Sequence, residues 1–277
     1  MPLTATDFPS GICRTFAKLS SKTWLDLGDA QRMGHEIGEE SITDFLILEL
    51  KRLHRYELWI NKFTKRQEGR TTGADWEWWF GANGRWFGMR VQAKKIDSGI
   101  LKYTGLYHTV RKGRRKQINL LLRDAKKRGL YPLYCFYNYW EKGIADLPWS
   151  CCSFPPQEEL CGCTFADAYA VRAKMKSQAV TVKDLASIWF PWVCLVCCRG
   201  YGVDAAASLP QRARNLVRQM SPSRRDIPLV EEAPHYVRLL LDQQPETGHS
   251  ISMDRLDFQG DIDGILVVRE RHGEQER

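Results

Sequence analysis

Apolar positions along the chain alternate between two spacings. From Gly38 onward, Glu39, Glu40, Ser41, Thr43 and Asp44 place acids and small hydroxyls where a helix N-terminus favours them. Ile42, Phe45, Leu46, Leu50 and Leu53 then recur three and four residues apart, which predicts a helix through Leu53. Tyr56 to Thr64 is dominated by β-formers and has strand length. After a polar turn from Lys65 to Gly73, Asp75 to Phe80 reads as a second strand, rich in tryptophan. Gly81-Ala82-Asn83-Gly84 follows, and its Asn-Gly pair between β-type runs predicts a tight hairpin. The third strand, Arg85 to Lys95, puts Phe87, Met89, Val91 and Ala93 on one face and Arg90, Gln92 and Lys94 on the other.

A basic loop leads to a second helix, Arg115 to Arg128, with Ile118, Leu121 and Leu122 on its apolar face and Gly129 as its stop. Tyr131 to Tyr139 reads as a fourth, buried and aromatic strand. The order is therefore helix, three strands, helix, strand, an α/β class. Further helices are expected around Ala166–Ser177, Val182–Ile188 and Gln211–Met220, with a linker between Met220 and Pro234 and a last strand at Asp263–Arg269. Residues 1–33 read as an irregular or partly helical lead-in. The main domain is expected over 34–200, its motif-bearing core over 34–140, and a C-terminal extension over 201–277 either stands apart or packs on the core.

Charge adds a candidate partner. The chain carries a net +8, and between Lys94 and Arg128 twelve Lys or Arg face two acids, Asp97 and Asp124. A solvated loop explains such a run as readily as a phosphate-binding surface. No window of 18 consecutive apolar residues suggests a membrane span, and the N-terminus lacks the pattern of a secretion signal, so a cytoplasmic address and no membrane partner are expected. Nine cysteines without such a signal make a disulfide framework unexpected. Cys161-Gly-Cys163 and Cys194-Leu-Val-Cys197 offer imperfect zinc half-sites, but buried thiols account for them more simply than a structural zinc.

Strand alternation carries the chemistry. Asp75 opens one hairpin strand, while Gln92 and Lys94, two residues apart, share a face of its partner. A carboxylate with a carboxamide oxygen suits Mg²⁺, which adds waters and substrate phosphate oxygens. Lys94 can orient the attacking water or stabilise the negative charge that develops. Glu77 shares the face of Asp75 and is an optional further ligand. Lys95 points the other way, as a spectator or phosphate contact. Lys102, His108, Arg111, Lys112, Arg114, Arg115 and Lys116 are candidate contacts to the nucleic-acid backbone. The tryptophans of the hairpin, Trp76, Trp78, Trp79 and Trp86, read mainly as core.

Gly73-Ala74-Asp75 followed by Val91-Gln92-Ala93-Lys94 resembles the PD-(D/E)xK nuclease superfamily, in particular its Mrr-like restriction endonuclease branch, whose last motif commonly reads Gln-x-Lys. The likeness spans roughly Gly34 to Tyr139. It implies a restriction-endonuclease-like core with added C-terminal helices, Mg²⁺- or Mn²⁺-dependent cleavage of nucleic acid, DNA before RNA, and a role in bacterial defence against foreign DNA. It also implies an acid on the first helix, for which Glu40 is chosen over Glu36 and Glu39, and a supporting glutamine on the second, at Gln117. A homodimer is an admissible assembly. The other reading is a nuclease fold that binds nucleic acid or a protein without cutting, since Gln92 brings no negative charge.

Overall fold

The computed structural model describes residues 11–63, 72–110, 115–141, 143, 156–198, 207–221, 227–242, 250–258 and 260–270. Its helices among these are α1 (Gly11–Arg32), α2 (Glu39–Leu53), α3 (Gln117–Arg128), α4 (Ala168–Lys176), α5 (Val182–Ala186), α6 (Cys194–Cys197), α7 (Leu209–Met220) and α8 (His235–Leu241). The strands are β1 (Leu58–Lys62), β2 (Trp76–Ala82), β3 (Arg85–Lys95), β4 (Thr109–Val110), β5 (Arg115–Lys116), β6 (Tyr131–Tyr137), β7 (Cys163–Asp167), β8 (Phe190–Pro191) and β9 (Gly264–Arg269). Seven strands form one mixed sheet in the order β1-β9-β2-β3-β6-β7-β8, and β4 pairs with β5.

The alternation read from the third strand is the alternation observed. Phe87, Met89, Val91 and Ala93 join Trp76, Trp78 and Leu133 in one core layer, which α1, α2, α6 and α7 cover. On the other face Trp79, Tyr134, Phe136, Ile265 and Val267 pack against α3, α4, α5 and α8. The Asn83-Gly84 turn closes β2 onto β3 with both residues at positive φ, 52° and 69°, as a tight hairpin of the right twist requires. Gly129, in the left-handed conformation, ends α3, with its amide bonded to the last-turn carbonyls.

Four features go beyond what the local patterns predict. The lead-in over 1–33 contains a 22-residue helix whose Phe16, Leu19 and Leu27 enter the core, and its amphipathic spacing was hidden by the small and polar residues on the packed face. The first and second strands do not pair. β9 lies between them, antiparallel to β1 and parallel to β2. A strand's own pattern states that it will be buried, not which neighbour it will choose. The extension beyond 201 therefore packs on the core, with α7 on the β2–β3 face, and Val230 of the expected linker exchanges both backbone hydrogen bonds with Trp86. Finally, Cys13 and Cys197 are joined by a disulfide where none was expected.

The α3 face of the sheet holds a buried ionic cluster. Glu77 and Arg90 are cross-strand partners, both fully buried, and lie 3.1 Å apart. Arg90 also meets Asp124 of α3 at 2.9 Å, while Trp79 and Tyr236 donate to the Glu77 carboxylate. Removing one partner of such a pair strands the other charge in a low-dielectric core. Arg90→Ala is expected to cost about 3–5 kcal/mol in urea unfolding, and Arg90→Met with Glu77→Leu to recover most of it. Cys135, Cys161 and Cys163 are buried free thiols, and burial pushes the ionisation of Cys163 up to about 12. All three should resist iodoacetamide at pH 8 until the chain unfolds. A raised thiol pKa means the folded state keeps its proton longer. The stability this contributes is full below pH 9, where an unfolded thiol titrates, and is lost as pH climbs towards 12.

Candidate metal centre

Asp75 immediately precedes β2, and its backbone amide continues the hairpin ladder by donating to the Val91 carbonyl at 2.9 Å. That register brings its side chain to β3, where the Ala93 amide donates to a carboxylate oxygen at 2.8 Å and the Gln92 carboxamide donates to the same oxygen. The Gln92 carboxamide nitrogen also reaches the Ala93 carbonyl at 3.0 Å, and its oxygen accepts from Gln117 Nε2 at 2.8 Å. Gln117 is the first residue of α3, so the hairpin and the second core helix are locked together at this point. Gly73 permits the approach. Its φ is +67°, and a methyl there would collide with the Gln117 carbonyl oxygen and lie 2.7 Å from the Leu121 amide nitrogen.

Lys94, one turn of the pleat beyond Gln92, is 7% exposed. Its stem lies on Gly105 of the short helical turn after β3, and its ammonium is 3.4 Å from Glu39 Oε1. The other oxygen of Glu39 accepts from the Lys95 amide at 3.0 Å. The first turn of α2 is thereby clamped to the end of β3. Asp75, Gln92, Lys94 and Gln117 all line one cavity of about 360 Å³, together with Glu39, Glu40 and His108. It opens at the end of the sheet, between the N-terminal ends of α2 and α3.

Most of the remaining sequence candidates fall outside this cavity. Glu77 does not line this cavity, because its carboxylate is taken up by Arg90, Trp79 and Tyr236 deeper in the sheet. Glu40 lines the cavity from an exposed position, whereas Glu39 is the helix acid that reaches Lys94. Lys95 pairs at 3.1 Å with Glu36, which removes that acid from the cavity. Lys102 is exposed, and its charge acts on Asp184 of α5. Arg115 and Lys116 are exposed on β5, directly before α3. Arg111, Lys112 and Arg114 lie outside the described residues.

Three charged lining residues were missed, Asp44, Lys62 and Asp263. Asp263, immediately before β9, lines the cavity, and nothing in its local sequence marks it out. Its only signal was the strand pattern of Asp263–Arg269, which carries no information about partner or place. Tyr134 stands opposite Gln92 across β3 and β6 with a fully buried hydroxyl. Its ionisation is pushed well above the ordinary phenol range, first by burial and then by the charge of Glu39, so it stays neutral.

The lining combines five carboxylates, of Glu39, Glu40, Asp44, Asp75 and Asp263, with two ammonium groups, of Lys62 and Lys94. An acidic pocket inside a chain of net +8 favours a cation in the pocket and an anion around it. Carboxylate, carboxamide and carbonyl oxygens dominate the lining, beside one imidazole, His108, and with no cysteine among them they fit a hard divalent cation such as Mg²⁺ or Mn²⁺. Asp75, Gln92 and the Ala93 carbonyl are linked through the Gln92 carboxamide. Among the described residues no three His, Cys, Asp or Glu side chains form a metal-binding group by themselves. A site here depends on carboxamide and backbone oxygens.

Gly73→Ala tests how the hairpin is held against α3. Left-handed strain and overpacking together should lower stability by roughly 2–4 kcal/mol in chemical unfolding. Gly84→Ala is the control, since its φ is also positive but a methyl would meet nothing within 4 Å, and about 1 kcal/mol is expected.

Among the described residues, no helix is long and apolar enough to cross a membrane. No curated protein matches the chain. A family model described as a family of unknown function (DUF6615) matches residues 12–274, from the first turn of α1 past β9, and the chain belongs to that family.

Proposed function

We propose that the chain is a metal-dependent nuclease of PD-(D/E)xK type, acting on DNA. One observation carries the reading: Asp75, Gln92 and Lys94, from the two strands of one hairpin, open on a single acidic cavity beside the N-terminal ends of α2 and α3. The order α2, β1, β2, β3, α3, β6 supports it, as does the parallel pairing of β3 with β6. The insertion of β9 between β1 and β2 is a departure from a contiguous core.

A bound Mg²⁺ or Mn²⁺ supplies Lewis acidity towards a phosphate oxygen and a lowered water pKa. Asp75, the Gln92 carboxamide oxygen and the Ala93 carbonyl would hold it. Lys94 is held in place by Glu39, and its ammonium would orient the attacking water or stabilise charge building on the phosphate. Gln117 fixes the Gln92 carboxamide and so positions a ligand. His108 lines the cavity, and Arg115 and Lys116, directly before α3, would meet the phosphate backbone by charge. A nuclease of this kind serves defence against foreign DNA.

Plasmid, linear duplex and single-stranded DNA incubated with Mg²⁺ or Mn²⁺ test the reading. Lys94→Ala is expected to slow cleavage by on the order of 10²–10³-fold, and Asp75→Asn to remove the metal-dependent part. DNA affinity should fall steeply as salt rises. Cleavage that survives both substitutions would sink the assignment. Salt-sensitive binding without cleavage would favour the alternative, a nuclease-fold binder whose neutral Gln92 leaves too little charge to hold a metal.

A further inference from the structure

The outer side of α2 is apolar where a solvated helix would be polar. Four of the nine exposed large apolar or aromatic side chains among the described residues lie between Phe45 and Tyr56. Phe45 is 64% exposed, Leu48 and Leu53 are 53% exposed, and Tyr56 stands exposed in the turn that follows the helix. Burial of α2 does not need them, because Ile42, Leu46, Ile47 and Leu50 already form the stripe that enters the core. At 3.6 residues per turn, Leu48, Arg52, Phe45, Glu49 and Leu53 share an arc of about 140° on the outer side.

The residues of this face are symmetric in kind. Counted outward from the midpoint between Leu50 and Lys51, Glu49 answers Arg52, Leu48 answers Leu53 and Phe45 answers Tyr56. Acid is matched with base, aliphatic with aliphatic, and aromatic with aromatic. A twofold axis makes that demand, since in an isologous interface residue i meets residue j and j meets i. Two copies of α2 laid antiparallel, roughly 8–10 Å apart with the axis at that midpoint, bring each residue level with its counterpart. Glu49 and Arg52 already pair at 2.6 Å within one helix, and both stay open enough to reach further. Across the axis the four charges alternate in sign, so each acid gains a second base. Asp44 and Glu57, two acids that the same count would match, are paired with Lys62 and His54. A partner of unrelated sequence gives no reason for this symmetry.

We propose that this face binds a second copy of the chain, α2 against α2, antiparallel about a twofold axis beside Leu50 and Lys51. The inference stands apart from the nuclease reading. It places the two cavities at opposite ends of the helix pair, because Glu39 and Glu40 line the cavity from the first turn of α2. A patch one helix long is at the small end of specific interfaces, so association in the micromolar range is expected.

Sedimentation velocity of the full chain, without metal or DNA, from about 1 to 100 µM tests the proposal. The parent should pass from monomer to dimer across that range. Glu49→Arg and Arg52→Glu each set like charges level across the axis, twice per dimer, and should weaken association by roughly 10–100-fold. An equimolar mixture of these two variants, and the double variant carrying both changes, should each associate nearly as tightly as the parent. Phe45→Ser with Leu48→Ser should leave a monomer throughout. All of these positions are solvent-facing, so circular dichroism should be unchanged. A parent that stays monomeric at the highest concentration overturns the inference. Single charge variants that associate like the parent overturn it too, because the contact then lies on another face. A mixture no tighter than its components rules out the antiparallel register proposed.

Discussion

Backbone pairing along β9 is the constraint on which the rest of the molecule depends. Without this strand, β1 and β2 would each present a row of unsatisfied amide and carbonyl groups to one another across a gap. β9 fills it with two ladders, antiparallel on one side and parallel on the other. Ile265, Leu266, Val267 and Val268 are fully or almost fully buried, so the strand is anchored on both faces as well as both edges. The sheet is complete only when the C-terminal segment has returned to it. The Thr72 hydroxyl bonding to the Asp261 carbonyl at 2.7 Å ties the two strand starts together just outside the ladder.

That return also organises the polar interior. Tyr236, leading the short α8, reaches the same carboxylate that pairs with Arg90, so the C-terminal region is joined to the hairpin by a buried charge cluster as well as by apolar packing. Such a cluster contributes little net stability over an apolar one, but it penalises any arrangement in which one member is missing. On the opposite face the aromatic side chains of Phe16, Trp78 and Trp192 meet edge-on or tilted and hold α1 to the sheet.

The cavity follows from where these elements end. β1, β3 and β6 finish, and β2 and β9 begin, at the same edge of the sheet, and α2 and α3 start there on opposite faces. Strand ends expose main-chain oxygens and helix starts carry partial positive charge, so one small volume can attract a cation at its floor and phosphate at its rim. The contrast between acidic lining and basic chain has the same sense.

Local sequence determined a good deal. The 3.6-residue spacing drew α2 and α3, Asn83-Gly84 drew the hairpin, and strict alternation in β3 put Arg90, Gln92 and Lys94 on one side, because each of these is decided by residues a few positions apart. From the hairpin alone the meeting of Asp75 with Gln92 follows. Long-range contact was decided by tertiary structure. Glu77 and Asp75 share a face, but depth in the sheet sends one to Arg90 and the other to the cavity. Glu39 and Glu40 are adjacent on α2, and only the packing angle of that helix selects Glu39 for Lys94. Asp263 became a neighbour of Asp75 because β9 needed two partners and found them between β1 and β2. A strand's hydrophobic pattern encodes that need for burial, while the choice of partner is a property of the whole sheet.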